Sequence, residues 1–367
     1  MSKRAGIIGG IVGGAAAATA VAAVVVERRT AARRRRLGAE ESPFRPQPCD
    51  RHGTVVTDDG TGLYYEELGP ADAPLTVVFV HGYTLNMRSF YFQRQGLQPH
   101  FGGAVRMVFY DQRSHGRSEH SDPEHSTIDQ LGLDLYNVLE TLVPNGPIVL
   151  IGHSMGGMTV LALADSHPEL FEAPRRGRPR VVGVALISTS TGNLASVTLG
   201  LPALLARIRD PLMSLLLRGA RRQANLVERG RAVGTDIAWM MTRRLSFGSA
   251  DVPAATVEFL TSMIASTRIE VIADFYPALM SHDKLSALPV LAETPVMIVC
   301  GDRDTLTPFE HSKEMAEALP KAELVEVPEA GHVALMEFPD IVNAALIRLI
   351  EGALSDGGRR RKWWRAG

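Results

Sequence analysis

Five short, continuously apolar segments constrain the fold of this 367-residue chain more than any other feature of its sequence. None of them alternates polar with apolar residues, and that pattern is typical of strands buried on both faces of a parallel sheet. Helix-forming stretches at 127–143, 155–166 and 309–319 lie between or after them. This alternation predicts an open α/β sheet with right-handed crossovers. The five apolar segments are 75–80, 105–110, 147–151, 181–187 and 295–300.

Two regions depart from this pattern. Segments 54–57 and 62–67 do alternate, and the turn 58–61 joins them, so an antiparallel hairpin is predicted at one edge of the sheet. The interval 188–294 contains no strand-like segment but many helix formers. A structureless loop of that length is uncommon, so we predict a helical cap at 192–291.

A candidate nucleophile follows the third apolar segment. Gly152-His153-Ser154-Met155-Gly156 fits G-x-S-x-G between a strand and a helix, where a sharp turn presents a serine hydroxyl at the carboxyl edge of the sheet. An activated serine needs a base, and that base needs an orienting acid. His332 follows the strand-like segment 322–327, and both Asp302 and Asp304 follow the strand that ends at Cys300. The residues therefore predict a triad of Ser154, His332 and one of these two aspartates.

Five motifs in the same chain order resemble the α/β-hydrolase family, from about residue 54 to residue 351. The resemblance implies a mostly parallel eight-stranded sheet with helices on both faces and an inserted helical cap, in the serine esterase and lipase-like branch. The family pattern G-x-x-D selects Asp304 as the triad acid. The motifs are Val80-His81-Gly82-Tyr83, Asp111-Gln112-Arg113-Ser114-His115-Gly116-Arg117-Ser118, Gly152-His153-Ser154-Met155-Gly156-Gly157, Gly301-Asp302-Arg303-Asp304 with Pro308, and Gly331-His332.

The resemblance also assigns supporting roles. The backbone N–H groups of Tyr83 and Met155 form the oxyanion hole in this reading, although Thr84 stands where the family commonly has proline. Three side chains after the second apolar segment, Asp111, Arg113 and His115, match a motif that braces a loop. For His153, which lies inside the serine turn, a packing role is expected.

The predicted activity is hydrolysis of a carboxylic ester or thioester through an acyl-enzyme. Perhydrolase or haloperoxidase-like chemistry without a cofactor, C–C bond hydrolysis, and a non-enzymatic ligand-binding receptor on the same fold are alternatives. The chain has no metal or nucleotide motif, so no cofactor and no nucleic acid partner are expected; the partner is a small acyl ester, lipids included. Cap residues that could line an acyl pocket, most of them in the core of the cap, are Trp239, Met240, Met241, Phe247, Phe259, Met263, Phe275, Tyr276 and Met280.

The amino-terminal segment predicts a membrane anchor. Residues 5–26 carry no charge and, as a helix, span about 33 Å, enough for a bilayer core of about 30 Å. Six arginines between 28 and 36 follow, which predicts a retained single-pass transmembrane helix with the catalytic body in the cytoplasm. A cleaved signal peptide and a secreted protein are the alternative. Trp363 and Trp364 among basic residues suit a lipid headgroup layer.

These features divide the chain into an anchor with its basic flank (1–36), a first core part (37–191), the cap (192–291), a second core part (292–354) and a basic tail (355–367). The chain has 39 basic and 40 acidic side chains, but thirteen of the basic ones lie in the two terminal segments. Residues 37–356 are therefore acidic, with a net charge of −13. Cys49 and Cys300 are the only cysteines, which excludes a disulfide framework.

Overall fold

The computed structural model describes residues 43–173, 179–197 and 235–364. In this part of the chain the strands form one eight-stranded sheet in the order β1-β2-β4-β3-β5-β6-β7-β8. The strands are β1 Arg51–Val56, β2 Gly62–Leu68, β3 Leu75–Val80, β4 Val105–Tyr110, β5 Ile148–His153, β6 Val181–Ile187, β7 Val296–Gly301 and β8 Glu323–Val327.

The sheet is mixed, and this corrects the prediction of a mostly parallel sheet. β1 pairs antiparallel with β2, and β2 pairs antiparallel with β4, whereas the other five pairings are parallel. A connection as short as residues 57–61 must reverse the chain direction, so β1 and β2 run antiparallel. β2 also runs antiparallel to its other neighbour, β4. The parallel part of the sheet therefore comprises β4, β3, β5, β6, β7 and β8.

Helices cover both faces of the sheet. Alternate residues of each central strand enter different cores: Val77 and Phe79 pack on one face, and Val78 and Val80 on the other. This explains why these strands are apolar throughout. Helices α1 and α9 contribute to the first core, and α2, α3 and α7 to the second. The helices are α1 Tyr91–Phe101, α2 Ile128–Leu142, α3 Met155–Ser166, α4 Thr235–Ser246, α5 Ala254–Ser266, α6 Ile269–Met280, α7 Phe309–Ala318, α8 Ala334–Glu337 and α9 Pro339–Trp364.

Within the described part of the interval between β6 and β7, three helices, α4, α5 and α6, lie in the region predicted as a cap. Residues 198–234 of that interval, which hold most of its arginines, lie outside the described residues. Val257, Phe259 and Leu260 of α5 join the core on the α1 and α9 face of the sheet, so this segment is packed onto the sheet domain.

The prediction of a single-pass membrane protein with a cytoplasmic body is corrected by the helices. Among the described residues, no helix is both long enough and apolar enough to cross a bilayer. The longest, α9, has 26 residues but carries charged side chains, including Arg348 and Glu351, and the apolar α3 has only 12 residues. The segment 5–26 and its basic flank lie outside the described residues, as do residues 365–367 of the tail.

Candidate active site

The turn between β5 and α3 holds Ser154 in a strained conformation. Its φ of 53° and ψ of −120° lie in a region that side-chain-bearing residues rarely adopt. The flanking glycines make the turn possible: a Cβ at Gly156 would lie 2.0 Å from the Val80 carbonyl oxygen, and one at Gly152 would lie 2.5 Å from that of Gly156. The turn at Ser154, called the serine elbow below, therefore packs directly against the end of β3.

The predicted triad residues meet at the carboxyl edge of the sheet. The Ser154 hydroxyl lies 2.9 Å from Nε2 of His332 and can donate a hydrogen bond to it. On the other side of the same ring, Nδ1 donates to Oδ2 of Asp304 over 2.9 Å. A hydroxyl, an imidazole and a carboxylate in this order can deprotonate a nucleophile and stabilise the resulting imidazolium.

Asp304 is buried and held ionised by its neighbours. Burial alone raises the pKa of this carboxyl, but the adjacent His332 and the backbone N–H groups of Thr307 and Leu306 bring the pKa below its ordinary value. Oδ1 accepts from both of those N–H groups, at 3.0 and 2.9 Å, and Oδ2 accepts from the Thr307 hydroxyl at 2.9 Å. Asp302, the alternative acid, is exposed to solvent.

His153 lies under the site and not in it. Its ring is fully buried, and Nε2–H donates to the backbone carbonyl of His332 over 3.0 Å. Burial lowers the pKa of His153 to about 3, so the ring is neutral and acts as a hydrogen-bond donor. This contact fixes the backbone at His332, which is more specific than the packing role expected from the sequence.

The turn after β3 lies against the serine. A Cβ at Gly82 would come within 3.0 Å of Nδ1 of His153 and 3.2 Å of Cβ of Ser154, so glycine allows this close approach without displacing either side chain. Within the described part of the chain, the backbone N–H groups of Tyr83 and Met155 make no hydrogen bond. Two free donors beside a serine hydroxyl can stabilise an oxyanion that forms there.

The three side chains of the motif after β4 are buried and hydrogen-bonded, and one of them contacts this turn. Asp111 accepts from the backbone N–H groups of Met87 and Arg117, each over 2.8 Å, and burial raises its pKa to about 6. Arg113 is completely buried and binds both oxygens of Asp134, at 2.6 and 2.5 Å. His115, whose pKa burial lowers to about 4, contacts the turn directly.

A cavity of about 270 Å³ opens beside Ser154 and His332. Among the described residues its wall is apolar apart from the site itself and a few hydroxyl groups. Of the cap residues singled out in the sequence, Tyr276 and Met280 line it, whereas Trp239, Phe247, Phe259, Met263 and Phe275 are buried and Met241 is exposed. The apolar wall consists of Leu85, Met158, Leu194, Val197, Leu260, Ile264, Tyr276, Leu279, Met280, Leu306 and Val333.

Two threonines near the site were not found from the sequence. Thr307 donates to Asp304 and lies 3.2 Å from Nδ1 of His332. Thr267 donates to the backbone carbonyl of Thr84 over 2.9 Å. Thr307 follows Asp304 by three residues, a spacing that can indicate a side chain packed on the acid, but no local signal indicates Thr267.

One group of possible metal ligands occurs in the described residues. Asp122, Glu124 and His125 bring their ligand atoms within 4.8 Å of one another. The two carboxylates are exposed, and none of the three belongs to the Ser154 site. Exposed acidic clusters are common without a bound ion, so the group indicates no metal chemistry here.

Comparison with protein families matches residues 77–345 to the alpha/beta hydrolase family. The match covers more than half of the chain and contains all five motifs, and the chain belongs to this family. It is an α/β-hydrolase enzyme, which sets aside the non-enzymatic receptor.

Individual relatives agree with this assignment. The chain is 26% identical to a non-heme chloroperoxidase from Streptomyces lividans over 82% of this chain and 99% of that protein. It is 25% identical to a bifunctional esterase/perhydrolase from Acinetobacter calcoaceticus, over 81% and 99% of the two chains. Among solved structures, a thermophilic esterase from Thermogutta terrifontis matches with a TM-score of 0.61 and 25% identity, over 83% of this chain and 99% of that one.

Proposed function

We propose that this chain hydrolyses carboxylic esters or thioesters of small molecules through an acyl-enzyme at Ser154. The observation that carries the proposal is the continuous hydrogen-bonded series from the Ser154 hydroxyl through His332 to Asp304, with both distances 2.9 Å. The esterases among the relatives and similar structures support the same class of reaction.

In the proposed mechanism, Oγ of Ser154 attacks the carbonyl carbon while its proton passes to Nε2 of His332. The negative charge on the carbonyl oxygen is stabilised by the N–H groups of Tyr83 and Met155. The alkoxide or thiolate leaves with the proton from His332. Water then attacks the acyl-enzyme, with the imidazole again taking and returning the proton, and the carboxylic acid is released. Asp304 holds the imidazole in the required tautomer and stabilises its charged form.

The cavity bears on the substrate. Because its described wall is apolar and carries no charged side chain apart from the site, we infer an uncharged acyl group that contacts mainly hydrocarbon.

The test uses a fluorophosphonate probe and p-nitrophenyl esters of increasing chain length. We expect the wild type to be labelled and to release p-nitrophenol, and Ser154→Ala to lose labelling and at least about 10³-fold in kcat. A folded wild type that is neither labelled nor active on any ester contradicts the proposal.

A second candidate rests on the relatives that are a chloroperoxidase and an esterase/perhydrolase. In this reaction hydrogen peroxide replaces water at the acyl-enzyme, so that a carboxylic acid and hydrogen peroxide give a peracid and water. Peracid formation from acetate and hydrogen peroxide by the wild type, absent in Ser154→Ala, supports it; no peracid from an active esterase excludes it.

A further inference from the structure

Thr84, the residue after Tyr83, is held by hydrogen bonds to both of the peptides that flank it. Thr84 has a φ of 61°, a left-handed conformation that is unusual for a β-branched residue. Its N–H donates to Nε2 of His115 over 3.2 Å, its hydroxyl donates to the Tyr83 carbonyl over 2.6 Å, and its own carbonyl accepts from Thr267 over 2.9 Å.

Proline, which the family commonly has at this position, could not make this turn. Its φ is locked near −65°, and it has no N–H to donate to His115. Thr84, which replaces the proline of the family motif, therefore makes hydrogen bonds through its N–H and hydroxyl that proline cannot make. Its carbonyl also accepts a hydrogen bond from Thr267, which is distant in the sequence.

That distant contact comes from the segment between β6 and β7. Thr267 lies in the connection between α5 and α6 and is buried. The Tyr83 hydroxyl also reaches this segment, because it donates to the backbone carbonyl of Ile272 in α6. The helical segment between β6 and β7 thus contacts two consecutive residues, Tyr83 and Thr84, of the turn after β3. This turn is called the oxyanion turn below.

We infer that Thr267 is a positioning residue for the oxyanion turn, so that the helical segment contributes to turnover and not only to the substrate pocket. The inference rests on the proposed function, in which the Tyr83 N–H is an oxyanion donor. That N–H belongs to the peptide 82–83. His115 holds the next peptide, 83–84, through the Thr84 N–H, and Thr267 holds the following one, 84–85, through the Thr84 carbonyl, so loosening Thr84 displaces the donor. Loss of a whole donor lowers kcat by about 10²–10³-fold, and a displaced donor should lower it by about tenfold.

The experiment compares Thr267→Val with wild type, using a p-nitrophenyl ester that the wild type turns over. Valine keeps the shape and removes the hydroxyl. We expect kcat to fall about tenfold with KM within about twofold, since the contact acts on the transition state and not on the ground-state complex. Thr267→Ser keeps the hydroxyl and should restore most of the loss.

Thr261→Val is the matched control. Thr261 is also buried, and its hydroxyl also donates to a backbone carbonyl, that of Val257 over 2.7 Å, but inside α5 and away from the turn. Its kcat should stay within about twofold of wild type while its melting temperature drops about as much as that of Thr267→Val.

If Thr267→Val does not fold, the hydrogen bond on the N–H side of Thr84 tests whether loosening this residue lowers kcat. His115→Gln can still accept the Thr84 N–H, whereas His115→Met, of similar length, cannot, so kcat should be higher in the first variant.

Equal kcat for Thr267→Val and wild type, or an effect confined to KM, overturns this inference alone. A wild type without turnover or probe labelling overturns the proposed function together with it.

Discussion

At the scale of single residues, local hydrogen bonds and burial determine which side chains can take part in the site. Asp302 and Asp304 are two positions apart in one loop, and spacing alone could not choose between them. In the structure Asp304 turns inward because its Oδ1 accepts the backbone N–H groups of Leu306 and Thr307, while Asp302 is exposed to solvent. The same inward turn brings the carboxylate to His332.

The first prediction separates these aspartates. Asp304→Asn should lower kcat by about 10³–10⁴-fold, because the amide cannot hold the imidazole in the tautomer that accepts the Ser154 proton. Asp302→Asn is the matched control and should stay within about threefold of wild type, as exposed substitutions usually do. Ester hydrolysis by the two purified variants measures this. A larger loss in Asp302→Asn shows the assignment to be wrong.

At the scale of elements, most of the sheet could be predicted because its signal is local. Continuous apolar runs marked β3 to β7, and the alternating segments marked the β1 and β2 hairpin. Helix α1 was not predicted: it contains Gly96 and Pro99, and it is helical because Leu97 and Phe101 are buried against the sheet. The pairing of β2 with β4 was also missed, since no local pattern states which strands become neighbours.

The residues of the site could likewise be predicted only where their signal is local in the sequence. Ser154 and His332 lie in motifs that could be identified along the chain, and the structure brings them together with Asp304. The contact between Thr267 and Thr84 joins residues 183 positions apart, so it arises only from the packing of the helical segment on the sheet. Interactions of this kind are determined by tertiary structure and leave no local sequence signal.

The close packing of the serine elbow against β3 gives a prediction about Gly156. Gly156→Ala should lower the free energy of unfolding by about 1–3 kcal/mol or more and also lower kcat, because the added methyl meets the Val80 and His81 carbonyl oxygens and separates α3 from β3. Gly103→Ala is the control, since its nearest contact would be Pro70 at an ordinary 3.7 Å. Urea unfolding and ester hydrolysis are measured together. If Gly156→Ala is as stable as the wild type, α3 does not pack as tightly against the end of β3 as the structure indicates.

At the scale of the whole molecule, buried neutral histidines link stability to pH. Burial lowers the pKa of His81 and His153 to about 3 and that of His115 and His282 to about 4. An unfolded histidine has a pKa of about 6.5, so below that pH the unfolded chain takes up protons that the folded chain does not. The stability these groups contribute is present above pH 6.5 and is lost as the pH falls toward 4 for His115 and His282 and toward 3 for His81 and His153. Asp111 acts in the opposite direction, because its folded pKa is raised to about 6.

The last prediction is the resulting acid sensitivity. Each such histidine contributes a slope of about 1.4 kcal/mol per pH unit, so four of them opposed by one aspartate should lower the free energy of unfolding by about 4 kcal/mol per unit below pH 6. Urea unfolding at pH 7, 6 and 5 measures the slope. His282→Gln, which can still donate to the Ser190 carbonyl, should reduce it by about 1.4 kcal/mol per unit, whereas exposed His52→Gln removes a histidine without altering the core. A free energy of unfolding that is constant from pH 7 to pH 5 would mean that these histidines are not held neutral by burial.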